Sequence, residues 1–187
     1  MQADFAVELG AGDETLEMPW TGDADGPQYH DLKRHPDLDK IEEAQRFREL
    51  GEFLAAVNSA ASLMETAKCD AWPSTEINPE EEIFGAPCKF GSYVDVLFSS
   101  ELARFSFAEH ENWAKRLTNL LKKAPETPAA AELLIRRCDY HMADGVREGF
   151  YITFYLFGYG EDESQARQRW AIALKLAGNA IRQVSRS

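Results

Sequence analysis

The stretch "GFYITFYLF", residues 149–157, alternates with a period of two. Phe150, Ile152, Phe154 and Leu156 fall on one side, Tyr151, Thr153 and Tyr155 on the other. Successive side chains of a strand point to opposite faces, so the spacing predicts a strand with one apolar and one aromatic–polar face. Its β-branched and aromatic residues suit that conformation. A second stretch, "GSYVDVLFS", residues 91–99, repeats the pattern, with Ser92, Val94, Val96 and Phe98 opposed to Tyr93, Asp95 and Leu97. "ADG", residues 143–145, lies between "LLIRRCDYHM" and the first stretch and reads as a hairpin turn. "DFAVELG" (4–10) and "TLEMPW" (15–20) also read as strands. "QYHDLKR" (28–34) is expected to return antiparallel to "TLEMPW" across the loop "TGDADGP".

Three helices follow from spacings of three and four. The first is expected over 40–58, with Asp39 and Glu42 as cap and N3 partner. The second runs over 107–123 behind a Ser106/Glu109 capping box, with Trp113 on its apolar stripe. The third runs over 163–184 behind Asp162 and Gln165, with Trp170 facing inward.

Two segments echo each other. "AKCDAW" (67–72) precedes the Gly91-x-Tyr93 strand, and "RRCDYH" (136–141) precedes the Gly149-x-Tyr151 strand. Each set ends in a helix with an inward tryptophan. The order predicts a duplicated ββα unit. The expected fold is α+β: an antiparallel β-sheet with helices packed on one face, built from a tandem ββα repeat plus N-terminal strands and a helix. One domain over 1–187 is expected, made of 1–60, a first unit 65–124 and a second unit 131–185. Cys69 and Cys138 should then face the helices. Lys68, Asp70, Trp72, Arg137, Asp139 and His141 would share the open face with Tyr93, Asp95, Tyr151, Thr153 and Tyr155.

Composition narrows the partners. The net charge of −12 disfavours nucleic acid and anionic membrane surfaces, which need a cationic footprint. Three cysteines are neither a disulfide framework nor a zinc knuckle. No basic, then apolar, leader opens the sequence, and no apolar run approaches the roughly 20 residues of a spanning helix. A cytoplasmic location is the simplest expectation.

Cys138, Asp139 and His141 are all residue types that ligate metals. Strand alternation separates the thiol from the other two, so neither a metal nor a cofactor is expected. Asp70, Asp95, Asp139 and His141 are the candidates for acid–base chemistry, and cross-strand ion pairing is their plainer role. Asp70, Trp72, Tyr93, Asp95, Asp139, His141, Tyr151 and Tyr155 together are the expected binding residues, because Tyr and Trp suit interfaces that are part apolar and part wet. Glu76, Glu80, Glu81 and Glu82 lie in an insertion, residues 73–88, expected to be a solvated acidic loop or a flexible arm for a basic partner. "DADG" (23–26) lacks the flanking carboxylates of a calcium loop and reads as a turn. "GYG" (158–160) could offer amides to an anion, but Asp162 and Glu163 follow at once. The sequence predicts a non-catalytic binding or adaptor module using the open sheet face. Alternatives are an enzyme with an Asp/His cluster there, or an acidic immunity or inhibitor protein. The partner would be a protein or a small ligand, with a homodimer also conceivable.

Overall fold

The computed structural model describes residues 1–20 and 28–185. Six strands form one sheet: β1 (Gln2–Glu8), β2 (Thr15–Met18), β3 (Met64–Ser74), β4 (Cys88–Phe98), β5 (Ala129–Met142) and β6 (Gly145–Gly160). The helices are α1 (Glu42–Arg46), α2 (Arg48–Val57), α3 (Glu101–Arg104), α4 (Phe107–Lys122) and α5 (Glu163–Val184). The strand order is β1-β5-β6-β4-β3, and β2 continues along the same edge of β5 as β1. The fold is α+β.

The sheet is mixed rather than antiparallel throughout. β3, β4, β6 and β5 pair antiparallel, but β1 and β2 both run parallel to β5. A parallel pair needs a long connection between its strands, and most of the chain lies between β2 and β5. Periodicity reports which face a residue takes, not which way a neighbouring strand runs. The β5–β6 hairpin closes at Met142↔Gly145, where the sequence places it, with Gly145 at φ 129°.

The two apolar rows behave as their spacing predicts. Val94, Val96 and Phe98, with Ile152, Phe154 and Leu156, are buried against the helices, Trp113 and Trp170 among them. Trp170 also donates to Ser92 Oγ at 2.9 Å, which satisfies its buried indole. The first turns of α5 lie directly on β6. A Cβ on Gly158 would fall on the Trp170 nitrogen and the Ala166 carbonyl oxygen. The Gly158–Gly160 stretch is therefore strand packed under a helix, and not a free anion nest.

Two helix starts follow the sequence: Ser106 accepts from the Glu109 N–H, and Asp162 from the Gln165 N–H. The N-terminal helix does not. It breaks at Phe47, which takes an extended φ of −130° and buries its ring against Phe90 and Trp170. Asp39 makes no cap and accepts instead from the Gln45 side chain. The apolar spacing survives the kink, so the spacing alone could not reveal it. Among the described residues no helix is long and apolar enough to cross a membrane.

The two Cys-Asp steps are not equivalent. A bulge between Thr66 and Cys69 leaves Cys69 opposite Val94, on the helix side. Cys138 stands opposite Gly149 and packs with Tyr151, Leu97, Leu16 and Met18 on the other face. Cys138 was expected to face the helices, and Arg137, Asp139 and His141 the open side; each takes the reverse. Each central hairpin does precede a helix, but the Cys-Asp step marks no common register.

Candidate binding site on the open sheet face

The face opposite the main helices is covered at one end by the protein's own chain. Leu16 and Met18 of β2 pack on Leu97, Cys138, Tyr140 and Tyr151, with Trp20, Tyr29 and Phe105 around them. Trp20 Nε1 donates to the Ala67 carbonyl on β3 at 3.1 Å, so the chain leaving β2 reaches the far side of the sheet. Residues 28–34 form no antiparallel return strand; 28–31 are irregular and 32–34 make a turn. Lys33 Nζ then donates to the carbonyls of Ser59, Ser62 and Met64, at 2.9, 2.7 and 3.0 Å. The "DADG" turn lies outside the described residues.

The other end is covered by the acidic insertion. Pro79–Phe84 form a 3₁₀ helix, capped by Asn78 and Glu81 in reciprocal hydrogen bonds. Glu81 accepts from Lys89 Nζ at 2.8 Å and from the Tyr159 hydroxyl at 2.7 Å. Burial opposes its charge, but Lys89, the Asn78 N–H and Tyr159 hold its carboxyl below the usual range. Phe84 stacks on Tyr159 with centroids 4.1 Å apart. Glu76, Glu80 and Glu82 are solvated as expected, but the segment is pinned rather than a free arm. Removing the ring in Phe84→Ala is expected to speed amide exchange over 78–86 about five-fold, since an aromatic pair contributes about 1 kcal/mol. Hydrogen–deuterium exchange reads this directly. Unchanged exchange there would mean that the stack holds nothing.

Between these covers lies an open middle. Strand register aligns Asp70, Tyr93, Tyr155, Glu132 and Asp4 in one row across five strands. The Tyr93 and Tyr155 rings are 6.1 Å apart. Trp72 lies 6.3 Å from Tyr93, and Phe157 stacks 6.1 Å from Tyr155. Phe157 leans over Gly91, where a Cβ would meet its ring at 2.8 Å. All four rings are half-buried, whereas Asp70 and Glu132 are exposed. Partial burial, together with Glu8 and Glu80 nearby, raises the Glu132 carboxyl above its usual range.

Beside the row, one same-face pair further along β4 and β6, sits a polar node. Asp95 is only 3% exposed and accepts from Thr153 Oγ1 at 2.8 Å. Thr153 in turn accepts from Arg136 at 3.2 Å, and Arg136 pairs with Glu8 at 2.7 Å and Glu14 at 3.1 Å. Burial pushes the Asp95 carboxyl up to about 7; Glu14 adds to this, while Thr153, Lys68 and Arg136 oppose it. The Tyr151 hydroxyl is buried with no hydrogen-bond partner among the described residues.

The expected site residues divide. Asp70, Trp72, Tyr93 and Tyr155 come together in the open middle, with the buried Asp95 beside Tyr93. Tyr151 is buried in the second apolar cluster. Asp139 and His141 belong to the opposite side of β5, where His141 Nε2 lies 3.3 Å from Glu17. The proposed acid–base set of Asp70, Asp95, Asp139 and His141 therefore does not converge. Phe157, Glu132, Phe84 and Arg136 were missed. Phe157 merely continues the alternation of 151, 153 and 155, and was legible; Glu132 depends on the pairing of β5 with β6. Among the described residues no three His, Cys, Asp or Glu side chains are grouped to hold a metal ion. Burial pushes the Cys69 and Cys138 thiols up to about 12, so neither is a thiolate nucleophile near neutral pH. Comparison with family models, curated proteins and solved structures finds no match.

Proposed function

We propose that this protein is a non-catalytic binding or adaptor module whose partner rests on the open middle of the sheet face. The observation that carries this is the half-exposed ring set of Trp72, Tyr93 and Tyr155, left bare between two segments of the protein's own chain, with Phe157 beside it under Lys89. Aromatic residues in such a setting offer large contact area at low conformational cost. The scatter of the acid–base residues removes the support for an enzyme on this face. An acidic inhibitor of a basic target would use the same surface, and the net charge of −12 favours that form of binding.

A photo-crosslinking amino acid placed at position 155, and separately at the exposed position 172 of α5, tests the assignment in the native cell. Adducts to a discrete partner are expected from 155 and not from 172, and they should disappear when Trp72→Ala is added. Equal labelling from both positions would sink the assignment.

A further inference from the structure

We infer that the occupant of this face is an extended basic segment of a protein partner, carrying two cationic side chains about 14 Å apart. The inference rests on the binding role proposed above and names the chemistry of what binds. Four rings around this face already hold a cation from the same chain. Lys68 lies over Trp20, Lys89 over Phe157, Arg104 over Tyr140 and Arg147 over Phe105, at 5.4, 5.4, 5.3 and 3.6 Å. Among the described residues none lies over Trp72, Tyr93 or Tyr155. Ring faces attract ammonium and guanidinium groups, so these three are the unused cation sites of the surface.

The carboxylates follow the same division. Glu8, Glu14, Glu65 and Glu81 are paired with Arg or Lys. Asp70 and Glu132, at the two ends of the tyrosine row, make no ion pair among the described residues. Asp70 Oδ1 accepts only from the adjacent Ala71 N–H, at 2.7 Å. The crowding of acids around Glu132 is what an incoming cation would relieve.

Geometry sets the spacing. Asp70 on β3 and Glu132 on β5 are separated by three strand spacings of about 4.8 Å, or roughly 14 Å. An extended chain advances about 3.4 Å per residue, so cations four positions apart reach both ends. A helix places residues four apart only about 6 Å from each other and cannot. The segment lies across the strands and does not extend the sheet at β3. There the Thr66 N–H is held by Asn58, the Ala71 N–H by Asp70, and Pro73 has none.

The test uses the full chain and labelled synthetic peptides followed by fluorescence anisotropy. One peptide has two arginines separated by three residues, a second has them separated by one, and a third replaces both with citrulline. The first is expected to bind at least ten-fold tighter than the others and to weaken as salt rises. The double variant Asp70→Asn/Glu132→Gln should lose at least ten-fold, and circular dichroism should stay unchanged because both positions are exposed. Equal binding of the citrulline peptide, indifference to the double variant, or displacement of the peptide by spermine at equal affinity would each overturn the basic segment. Adducts from position 155 without peptide binding would remove this inference and leave the binding role standing. The absence of both would remove the two together.

Discussion

Gly158→Ala is expected to cost about 4 kcal/mol or more, lowering Tm by roughly 8–16 °C for a chain of this size. The added methyl meets backbone, not a movable side chain: the Trp170 nitrogen, the Ala166 oxygen, and Trp170 Cα at 2.7 Å. Relief requires lifting the start of α5 off β6, which opens the core around Trp170 and its bond to Ser92. Gly178→Ala in the same helix is the control. There a Cβ would meet Ala56 and Phe53 at 3.6 and 3.7 Å, ordinary contact distances. Alanine favours the helix by up to about 1 kcal/mol, so this variant should match or exceed the parent. Thermal denaturation of the pair decides it. Equal Tm values would show that α5 does not rest on Gly158 as described.

Asp95→Asn is expected to stabilise the protein at about pH 8 and to have little effect at about pH 4. The folded carboxyl titrates at about 7, against an ordinary value of 3.8. Between those values the folded state holds a proton that the unfolded state has lost. Stability therefore falls as pH rises through this window, at up to about 1.4 kcal/mol per pH unit, and levels off above about 7. Asparagine keeps an acceptor for Thr153 and carries no charge, so it escapes the penalty, worth up to about 4 kcal/mol. His110 works in the opposite sense. It is buried with a lowered pKa, so its contribution is lost as pH falls below 6.5. It is common to both proteins and cancels in the difference. Urea midpoints of parent and variant across this range are the measurement, and a gap that does not change with pH would rule out a neutral, buried Asp95.

Much of the sheet's apolar side was legible because β4 and β6 alternate strictly over their central residues. The capped helices α4 and α5 were legible for a similar reason: Ser106 and Asp162 announce the starts of long apolar stripes. β5 was not. Leu133, Leu134 and Ile135 are apolar in succession, so alternation there has no phase and only Cys138 offers one. The opposite face beneath Leu16 and Met18 is itself apolar at that point. A small apolar side chain fits either side, and Cys138 carried the wrong one. Four residues of the proposed binding face could be read because Asp70, Trp72, Tyr93 and Tyr155 need only local alternation. The burial of Asp95 and Tyr151 depends on chain from distant parts of the sequence, and no local pattern encodes that.

The placement of β1 and β2 has a bearing on synthesis. Glu8 meets Arg136 across a sequence separation of 128 residues, and the other contacts along this edge are of similar span. At about 5–20 residues per second, residues 2–18 wait on the order of ten seconds outside the ribosome before their strand partner is made. Throughout that interval two strand-forming stretches, carrying Phe5, Val7 and Leu16, have no native neighbour. An unpaired strand edge is thus exposed for that whole time, and the acids at positions 4, 8, 13, 14 and 17 are what oppose its pairing with other chains.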